Sequence, residues 1–198
     1  NLLSDISLSD IELLLNDYRQ NSRNRYKFYQ KKEDIEKKII ALLQSGPLQQ
    51  NDMDMVMSVM FTIDDSPQVG FPLTIHKTDM LLSIVKNILK TQEDILLRAT
   101  AMSHLSAAFP NEKVLWLLFQ VANDEKESAD ARDEAYLSLI KNIKLLNELP
   151  IAMNLRTIMT KFIDTTRLFK QSNIPSLENR ANTFLNKKEL TIIQSKHF

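Results

Sequence analysis

The sequence predicts an all-α protein, and two features of its composition lead to this expectation. The chain has 198 residues and contains only two glycines, Gly46 and Gly70, whereas sheets and phosphate-binding loops use glycine in many tight turns. Leu, Ile, Lys, Glu and Met are abundant, and these residues fit the interior of a helix at little cost. With 43% hydrophobic residues, the chain is long enough to form one domain with a sizeable core.

The sequence also limits the compartment and the chemistry. The absence of cysteine excludes disulfides, thiolate metal ligands and cysteine nucleophiles. The opening segment NLLSDISLSD has no basic stretch before an apolar run, and no apolar segment approaches the length that spans a membrane. We therefore expect a cytoplasmic protein with no membrane partner.

Apolar residues at helical spacing predict three helices in the N-terminal segment, residues 1–63. In the first, SLSDIELLLNDY, Ser9 and Glu12 have the spacing of a capping box, and this helix is expected to fray through RQNSRNRYKFYQ. The second is KEDIEKKIIALLQ, which the stop signal SGP ends, and the third is NDMDMVMSVMFTI. Two prolines and a glycine then predict a loop over residues 64–78.

Six further helices, joined by short connections, are expected over residues 79–190. They are TDMLLSIVKNILK, TQEDILLRATAMSHLSAAF, NEKVLWLLFQVAN, SADARDEAYLSLIKNIKLLN, IAMNLRTIMTKFIDTTRLFK and SLENRANTFLNKKEL. Pro110, Pro150 and Pro175 stand at or near helix starts, where proline is tolerated. The prediction is therefore nine helices in a single domain, packed as successive antiparallel neighbours.

Two of these helices repeat a pattern at an interval of 34 residues. LLRATAMSHLS places Arg98, Ala101 and Leu105 where DARDEAYLSLI places Arg132, Ala135 and Leu139. Each stretch lies on the second helix of a predicted pair. Such a period is typical of stacked helical hairpins, in which each pair packs on the one before. A general helical bundle is the alternative interpretation.

The stretch ANDEKESADARDEAYLSLI resembles the HEAT and armadillo class of α-solenoids. In that class an Asp after the first helix of a pair is followed by an Arg, a small residue and a Leu in the second helix. Asp124, Arg132, Ala135 and Leu139 follow this order, although the interval from Asp124 to Arg132 is longer than usual. The resemblance covers residues 79–146. It implies a HEAT-like superhelix or a curled antiparallel bundle of about nine helices.

No pattern of residues predicts a catalytic centre or a cofactor site. The three histidines are far apart in the sequence, and there is no nucleophile elbow, H-E-x-x-H motif or glycine-rich phosphate loop. Asp64 and Asp65, with Asp52 and Asp54 upstream, are paired carboxylates for which helix capping is the expected role. We therefore expect no metal, no cofactor and no enzymatic activity.

Nucleic-acid binding is an alternative that the segment YRQNSRNRYKFYQKK raises. It interleaves basic side chains, which can neutralise phosphates, with aromatic side chains, which can stack on bases. The aromatic residues also have the spacing of core residues, and the net charge of the chain is zero. A HEAT-like fold is used by a family of DNA alkylation-repair glycosylases, whose clefts are more basic and aromatic. Nucleic acid is therefore not the expected partner.

An acidic band is the candidate binding surface. Residues 39–136 contain 14 acidic and 7 basic side chains, and NDEKESADARDE places six of the acids at one helix joint. About half of these are expected to stabilise the start of the following helix through its dipole. Together with the loop aspartates, the others would form a negative patch that attracts a basic partner. The predicted contact residues are Asp64, Asp65, Asp124, Glu125, Glu127, Asp130, Asp133 and Glu134.

Small helical proteins with acidic faces and no cysteine are similar in general character to bacterial immunity proteins, including those of contact-dependent growth inhibition systems. This resemblance implies an immunity protein that binds a basic, nuclease-type toxin domain and occludes it. A helical-repeat adaptor that holds a peptide or helix in its groove is the alternative. A DNA-repair glycosylase with a HEAT-like fold is a third hypothesis.

Overall fold

The computed structural model describes residues 5–65, 71–149 and 153–186 of the chain. Within these ranges all regular structure is helical, so the all-α prediction is confirmed. The helices are α1 (Leu8–Gln20), α2 (Arg25–Gln30), α3 (Lys32–Gln44), α4 (Gln50–Asp64), α5 (Ile75–Thr91), α6 (Ile95–His104), α7 (Glu112–Asn123), α8 (Ala129–Glu148), α9 (Leu155–Lys170) and α10 (Pro175–Leu185), with 3₁₀ turns at Ser22–Asn24 and Leu105–Ala107. None of these helices has the length and apolar content needed to cross a bilayer.

The capping box of α1 lies two residues earlier than the sequence predicts. Ser7 Oγ accepts a hydrogen bond from the Asp10 N–H at 3.1 Å, and the Asp10 carboxylate accepts one from the Ser7 N–H at 3.1 Å. This pair has the same spacing as Ser9 and Glu12, so spacing alone could not distinguish them. Starting the helix after Ser7 brings Leu8 onto the side that packs against the core.

The segment that was expected to fray forms α2, which brings the number of α-helices in the described residues to ten instead of the nine predicted. Phe28 on α2 is fully buried, and the Tyr29 hydroxyl donates to the Thr62 carbonyl at 2.7 Å. The hydrogen bond from Tyr29 holds α2 against the end of α4. A contact between such distant segments cannot be predicted from the local sequence. The helix predicted to start at residue 79 begins at Ile75, because Thr74 Oγ1 caps it by accepting from the Lys77 N–H.

Parts of three predicted elements lie outside the described residues. These are residues 66–70 of the loop, 150–152 at the start of the eighth predicted helix and 187–190 at the end of the last one. Within the described residues, α9 begins at Leu155, because Asn154 Oδ1 caps it by accepting from the Thr157 N–H at 3.2 Å.

The helices form two layers. The front layer consists of α1, α4, α6, α8 and α10, and the back layer of α3, α5, α7 and α9. The front-layer helices α4, α6 and α8 run in the same direction. His104 at the end of α6 bonds to Asp64 at the end of α4. Arg98 near the start of α6 bonds to Glu127 just before α8, and Met102 near the end of α6 accepts from Ser138 Oγ, further along α8, at 2.7 Å. The connections α5–α6, α7–α8 and α9–α10 each join two helices that pack on one another as a hairpin, and α6, α8 and α10 bring these hairpins side by side.

The 34-residue repeat corresponds to two arginines that make the same kind of contact. Arg98 Nη1 donates to the carbonyls of Leu89 and Gln92 at 2.8 and 2.7 Å, at the end of α5. Arg132 Nε donates to the Ala122 carbonyl at 3.0 Å, at the end of α7. Each guanidinium therefore satisfies carbonyls that the preceding helix leaves without an intrahelical partner. The repeated alanines and leucines of both hairpins are all fully buried.

One continuous core extends from Ile11 in α1 to Phe184 in α10. Its C-terminal part is aromatic: the rings of Tyr136 and Phe162 stack with centroids 5.0 Å apart, and Phe169 and Phe184 pack around them. The Tyr136 hydroxyl is 2.6 Å from Thr166 Oγ1, so its polar atom is satisfied inside the core. This cluster joins α9 and α10 to α8.

Candidate binding surface

Asp64 and Asp65, at the end of α4, are bonded within the fold. The Asp64 carboxylate contacts Nδ1 of His104, and both side chains are largely buried. The Asp65 carboxylate accepts from the Tyr18 hydroxyl and lies 3.5 Å from the Arg25 guanidinium. The sequence predicted an exposed patch that included these two residues. Their carboxylates instead tie together the C-terminal ends of α1, α4 and α6.

Glu127 and Asp133 are also neutralised inside the molecule. Glu127 forms a two-pronged ion pair with Arg98, with Nε–Oε1 and Nη2–Oε2 distances of 3.0 and 2.5 Å. The hydrogen bonds from Arg98 hold the pKa of Glu127 below its ordinary value, against the opposing effect of burial. Asp133 pairs with Arg180 on α10 at 2.8 and 3.1 Å. These two acids position helices and are not free to meet a partner.

Asp124 and Glu125 lie in the turn between α7 and α8. Asp124 Oδ1 accepts from the Lys126 N–H at 2.9 Å, and the Asp124 carbonyl accepts from the Glu127 N–H at 3.0 Å. Both side chains are exposed, so they remain accessible, but the contacts of Asp124 are those of an ordinary turn. Asp124 lines a different depression, with Arg98 and Glu127, and neither residue lines the groove that holds the acids of α8.

Asp130, which is exposed, and Glu134, which is half-buried, remain as the acids of a groove between α6 and α8. The groove has a volume of about 440 Å³ and is lined by Ile95, Leu96, Ala99, Thr100, Ser103, Asp130, Asp133 and Glu134. Burial raises the pKa of Glu134 above its ordinary value, and the neighbouring Asp133 carboxylate adds to the shift. Among the described residues neither Asp130 nor Glu134 forms an ion pair, although the nearby charges of Arg180 and Lys141 partly offset the rise in the pKa of Glu134.

A second acidic groove, of about 500 Å³, lies between α1 and α4. Its acids are Glu12, Asp52 and Asp54, and its one basic side chain among the described residues, Arg19, donates to Ser58 Oγ at 3.0 Å. The sequence analysis assigned Glu12, Asp52 and Asp54 to helix capping and placed none of them on a binding surface. About 40 residues separate Glu12 from Asp52 in the chain, so only the packing of α1 against α4 shows that they share a surface.

A shallow hollow adjoins the groove between α1 and α4 and reaches the end of α6. It shares Arg19, Asp54 and Ser58 with the groove between α1 and α4, and it extends to Phe61 and His104. His104 follows Ser103, which lines the groove between α6 and α8. We call the resulting surface, the side of α1, α4, α6 and α8 that faces away from the back layer, the front face.

The front face is acidic and partly apolar. Three depressions along it are lined by six carboxylates, from Glu12, Asp52, Asp54, Asp130, Asp133 and Glu134. Arg19 is the basic residue, apart from His104, that lines these depressions in the part of the chain described. Three large apolar side chains on this face are well exposed: Phe61 at 62%, Ile95 at 55% and Leu96 at 66%.

The basic and aromatic segment over residues 18–32 offers few aromatic rings to a nucleic acid. Tyr18 and Phe28 are buried, and the Lys77 ammonium lies 3.9 Å from the centre of the Tyr29 ring. Tyr26 is the aromatic residue of this segment that is exposed. Base stacking by several rings in succession would therefore need a rearrangement of the core contacts of α1 and α2.

Among the described residues no group of three or more histidine, aspartate or glutamate side chains is placed to hold a metal ion. No protein-family model, curated protein or solved structure matches this chain.

Proposed function

We propose that this chain is a non-enzymatic protein that binds a basic domain of another protein through its front face. The observation that carries the proposal is the lining of that face: six carboxylates, of which Arg180 neutralises only that of Asp133, and one arginine, with Phe61, Ile95 and Leu96 exposed on the same face. An apolar area within a charged rim is the usual composition of a protein interface. The sign of the rim selects a basic partner.

The two kinds of residue have different roles in binding. Carboxylates at the rim steer a positively charged partner to the surface and raise the association rate, most strongly at low ionic strength. Large apolar side chains become buried on docking and supply most of the affinity. Phe61 on α4 and the Ile95–Leu96 pair on α6 are the anchors in this proposal.

The biological role that we propose is that of a bacterial immunity protein acting in the cytoplasm. A nuclease-type toxin must bind phosphates, so its active surface is basic. An acidic protein that covers such a surface blocks the substrate by competing for the same positive charges. The acidic front face and the general resemblance to immunity proteins support this role.

The grooves of the front face favour one second candidate, a helical-repeat adaptor. The depression at α6 and α8 is lined by two neighbouring helices, as in proteins that hold a partner helix in a groove. In an adaptor the bound segment is recruited and not inhibited. The effect of the partner on cells separates the two roles.

The partner is first isolated from the source cell by affinity purification with wild-type protein. Its association rate is then measured with wild-type protein and with two charge-reversal variants. Asp52→Lys with Asp54→Lys alters the front face, and Glu125→Lys with Glu148→Lys changes the net charge equally at exposed positions outside it. A basic partner should associate about tenfold more slowly with the front-face variant at low salt, and at an almost unchanged rate with the control. An acidic partner, or equal rates for the two variants, would refute the proposal.

Growth assays then assign the role. A partner that arrests growth when expressed alone, and is neutralised by co-expression of this chain, is a toxin. A partner that is harmless alone supports the adaptor. Loss of protection in the Asp52→Lys, Asp54→Lys variant, with protection kept in the control, would link the neutralisation to the front face.

A further inference from the structure

The groove between α6 and α8 has the shape and lining of a site for a helix. On α6, residues 95, 99 and 103 are spaced by four, as are residues 96 and 100 beside them, so all five lie along one side of the helix. Ala99, Thr100 and Ser103 are small and leave room at the floor. The span from residue 95 to residue 103 is about 12 Å, which corresponds to about two turns of a partner helix.

The two walls of this groove differ in chemistry. Ile95 and Leu96 form an apolar end on α6, with more than half of each side chain exposed. Asp130 and Glu134, four residues apart on α8, form an acidic wall. Arg180 neutralises Asp133, which lies between them in sequence. Asp130 and Glu134, one helical turn apart, form no ion pair among the described residues and can meet cations from outside, although Arg180 and Lys141 lie near enough to Glu134 to lower its pKa.

The occupant is a helix and not an extended peptide. Extended peptides are held by main-chain hydrogen bonds to the edge of a sheet, and both sides of this groove are α-helices whose main-chain groups are paired along their own axes. A helical segment needs no such bonds, because its own backbone is already paired. Cations four residues apart on a helix are also spaced to match carboxylates that are four residues apart on α8.

We infer that the groove between α6 and α8 is a docking site for a basic amphipathic helix of the partner protein. In this arrangement, which rests on the proposed function, apolar side chains of the partner cover Ile95 and Leu96. Lysine or arginine side chains one turn apart meet Asp130 and Glu134. The inference assigns the partner a recognisable sequence pattern, a short helix with basic residues at i and i+4 beside an apolar stripe.

The probe is a labelled helical peptide of Leu, Lys and Ala, about 15 residues long, so that it has appreciable helicity in water. Its control is a peptide of the same composition, scrambled so that no apolar stripe forms. Binding to the full-length chain is measured by fluorescence anisotropy at physiological salt. The position of binding is mapped by ¹H–¹⁵N NMR.

Matched variants test the two walls separately. Leu96→Ala removes an anchor, and Leu13→Ala is its control, because Leu13 is 64% exposed on α1 and lines none of the grooves. Asp130→Asn with Glu134→Gln removes the acidic wall, and Glu125→Gln with Asp164→Asn removes equal charge elsewhere. We expect each groove variant to weaken binding of the amphipathic peptide about tenfold and each control to change it less than about twofold.

The outcomes separate this inference from the proposed function. NMR shifts confined to α6 and the start of α8 support the inference. Binding in the groove between α1 and α4 that is insensitive to the groove variants would overturn it and leave the proposed function intact. A failure to prefer the amphipathic peptide over the scrambled one would overturn it as well. So would a change in the oligomeric state of the chain on Leu96→Ala, since the groove would then hold a second copy.

Discussion

Arg98 shows how a single residue fixes the position of a helix pair. Its guanidinium donates to two carbonyls at the end of α5 and also to Glu127 in the turn before α8. It therefore connects the end of one hairpin to the next hairpin. Arg132 makes the equivalent contact with the end of α7 and has no carboxylate partner within the described residues. Both arginines therefore anchor the end of the preceding helix, and among the described residues Arg98 alone of the two also pairs with a carboxylate.

We predict that Glu127→Gln lowers stability at neutral pH and has little effect in acid. The folded pKa of Glu127 lies below its ordinary value of 4.5, so its contribution is present above pH 4.5 and is lost as the pH falls through the folded pKa. Loss of a partly buried, charge-assisted pair should cost about 1–3 kcal/mol at pH 7. Urea denaturation at a series of pH values from 7 downwards measures the difference in unfolding free energy between wild type and variant. This difference should shrink towards zero as the pH falls.

Glu134→Gln is the matched control, because its expected effect on stability at neutral pH has the opposite sign to that of Glu127→Gln. The folded pKa of Glu134 is raised, so its charged form opposes folding above that pKa, and the opposition disappears as the pH falls to the unfolded value. Glu134→Gln should therefore be neutral or stabilising at pH 7. A loss of stability at neutral pH from Glu134→Gln, or a pH-independent loss from Glu127→Gln, would contradict the assignment of these two groups.

At the level of elements, the helices with strong local signals were predicted well. The sequence predicted α3 with its observed bounds, because SGP ends it, and α7 and α8 to within a residue at each end, because Asn111 and Ser128 are strong caps. α2 was missed, since its order depends on the burial of Phe28 and on the hydrogen bond from Tyr29 to the end of α4. The acidic groove between α1 and α4 was missed for the same reason: it is assembled by packing between distant segments.

We predict that Ala101→Leu destabilises the protein by about 1–3 kcal/mol, because it adds volume to a filled core. Ala101 is fully buried in α6, which packs directly on α8. Ala41→Leu is the control, since Ala41 is exposed on α3 and leucine has nearly the same helix propensity as alanine. Thermal and urea unfolding measure both variants. Equal stabilities would show that space remains where α6 meets α8.

At the scale of the whole molecule, the contacts mainly join each helix to its partner in the hairpin and to its neighbours in the layer. Stability in such a stack is approximately a sum of local terms between neighbouring units. The four helices α5–α8 have packed neighbours on both sides, whereas α1 and α10 are at the two ends of the described front layer. The ends are therefore expected to open before the centre.

Hydrogen exchange followed by mass spectrometry measures this order. Amides of α6, α7 and α8 should exchange at least about tenfold more slowly than those of α1 and α10, corresponding to a difference of about 1.4 kcal/mol or more in opening free energy. Arg180→Ala removes the ion pair with Asp133 and should speed exchange in α10 more than in α6. Uniform protection from α1 to α10 would instead indicate a single cooperative unit.

The equivalent anchoring of α5 and α7 by Arg98 and Arg132 has a consequence for how such a protein can evolve. A copy of one hairpin, inserted between α5–α6 and α7–α8, would pack on each side against a surface similar to the one that the original hairpin packs against. Gene duplication could therefore widen the molecule by one hairpin at a time while keeping the same fold. Descendants with more or fewer hairpins would differ chiefly in how large a target they can cover.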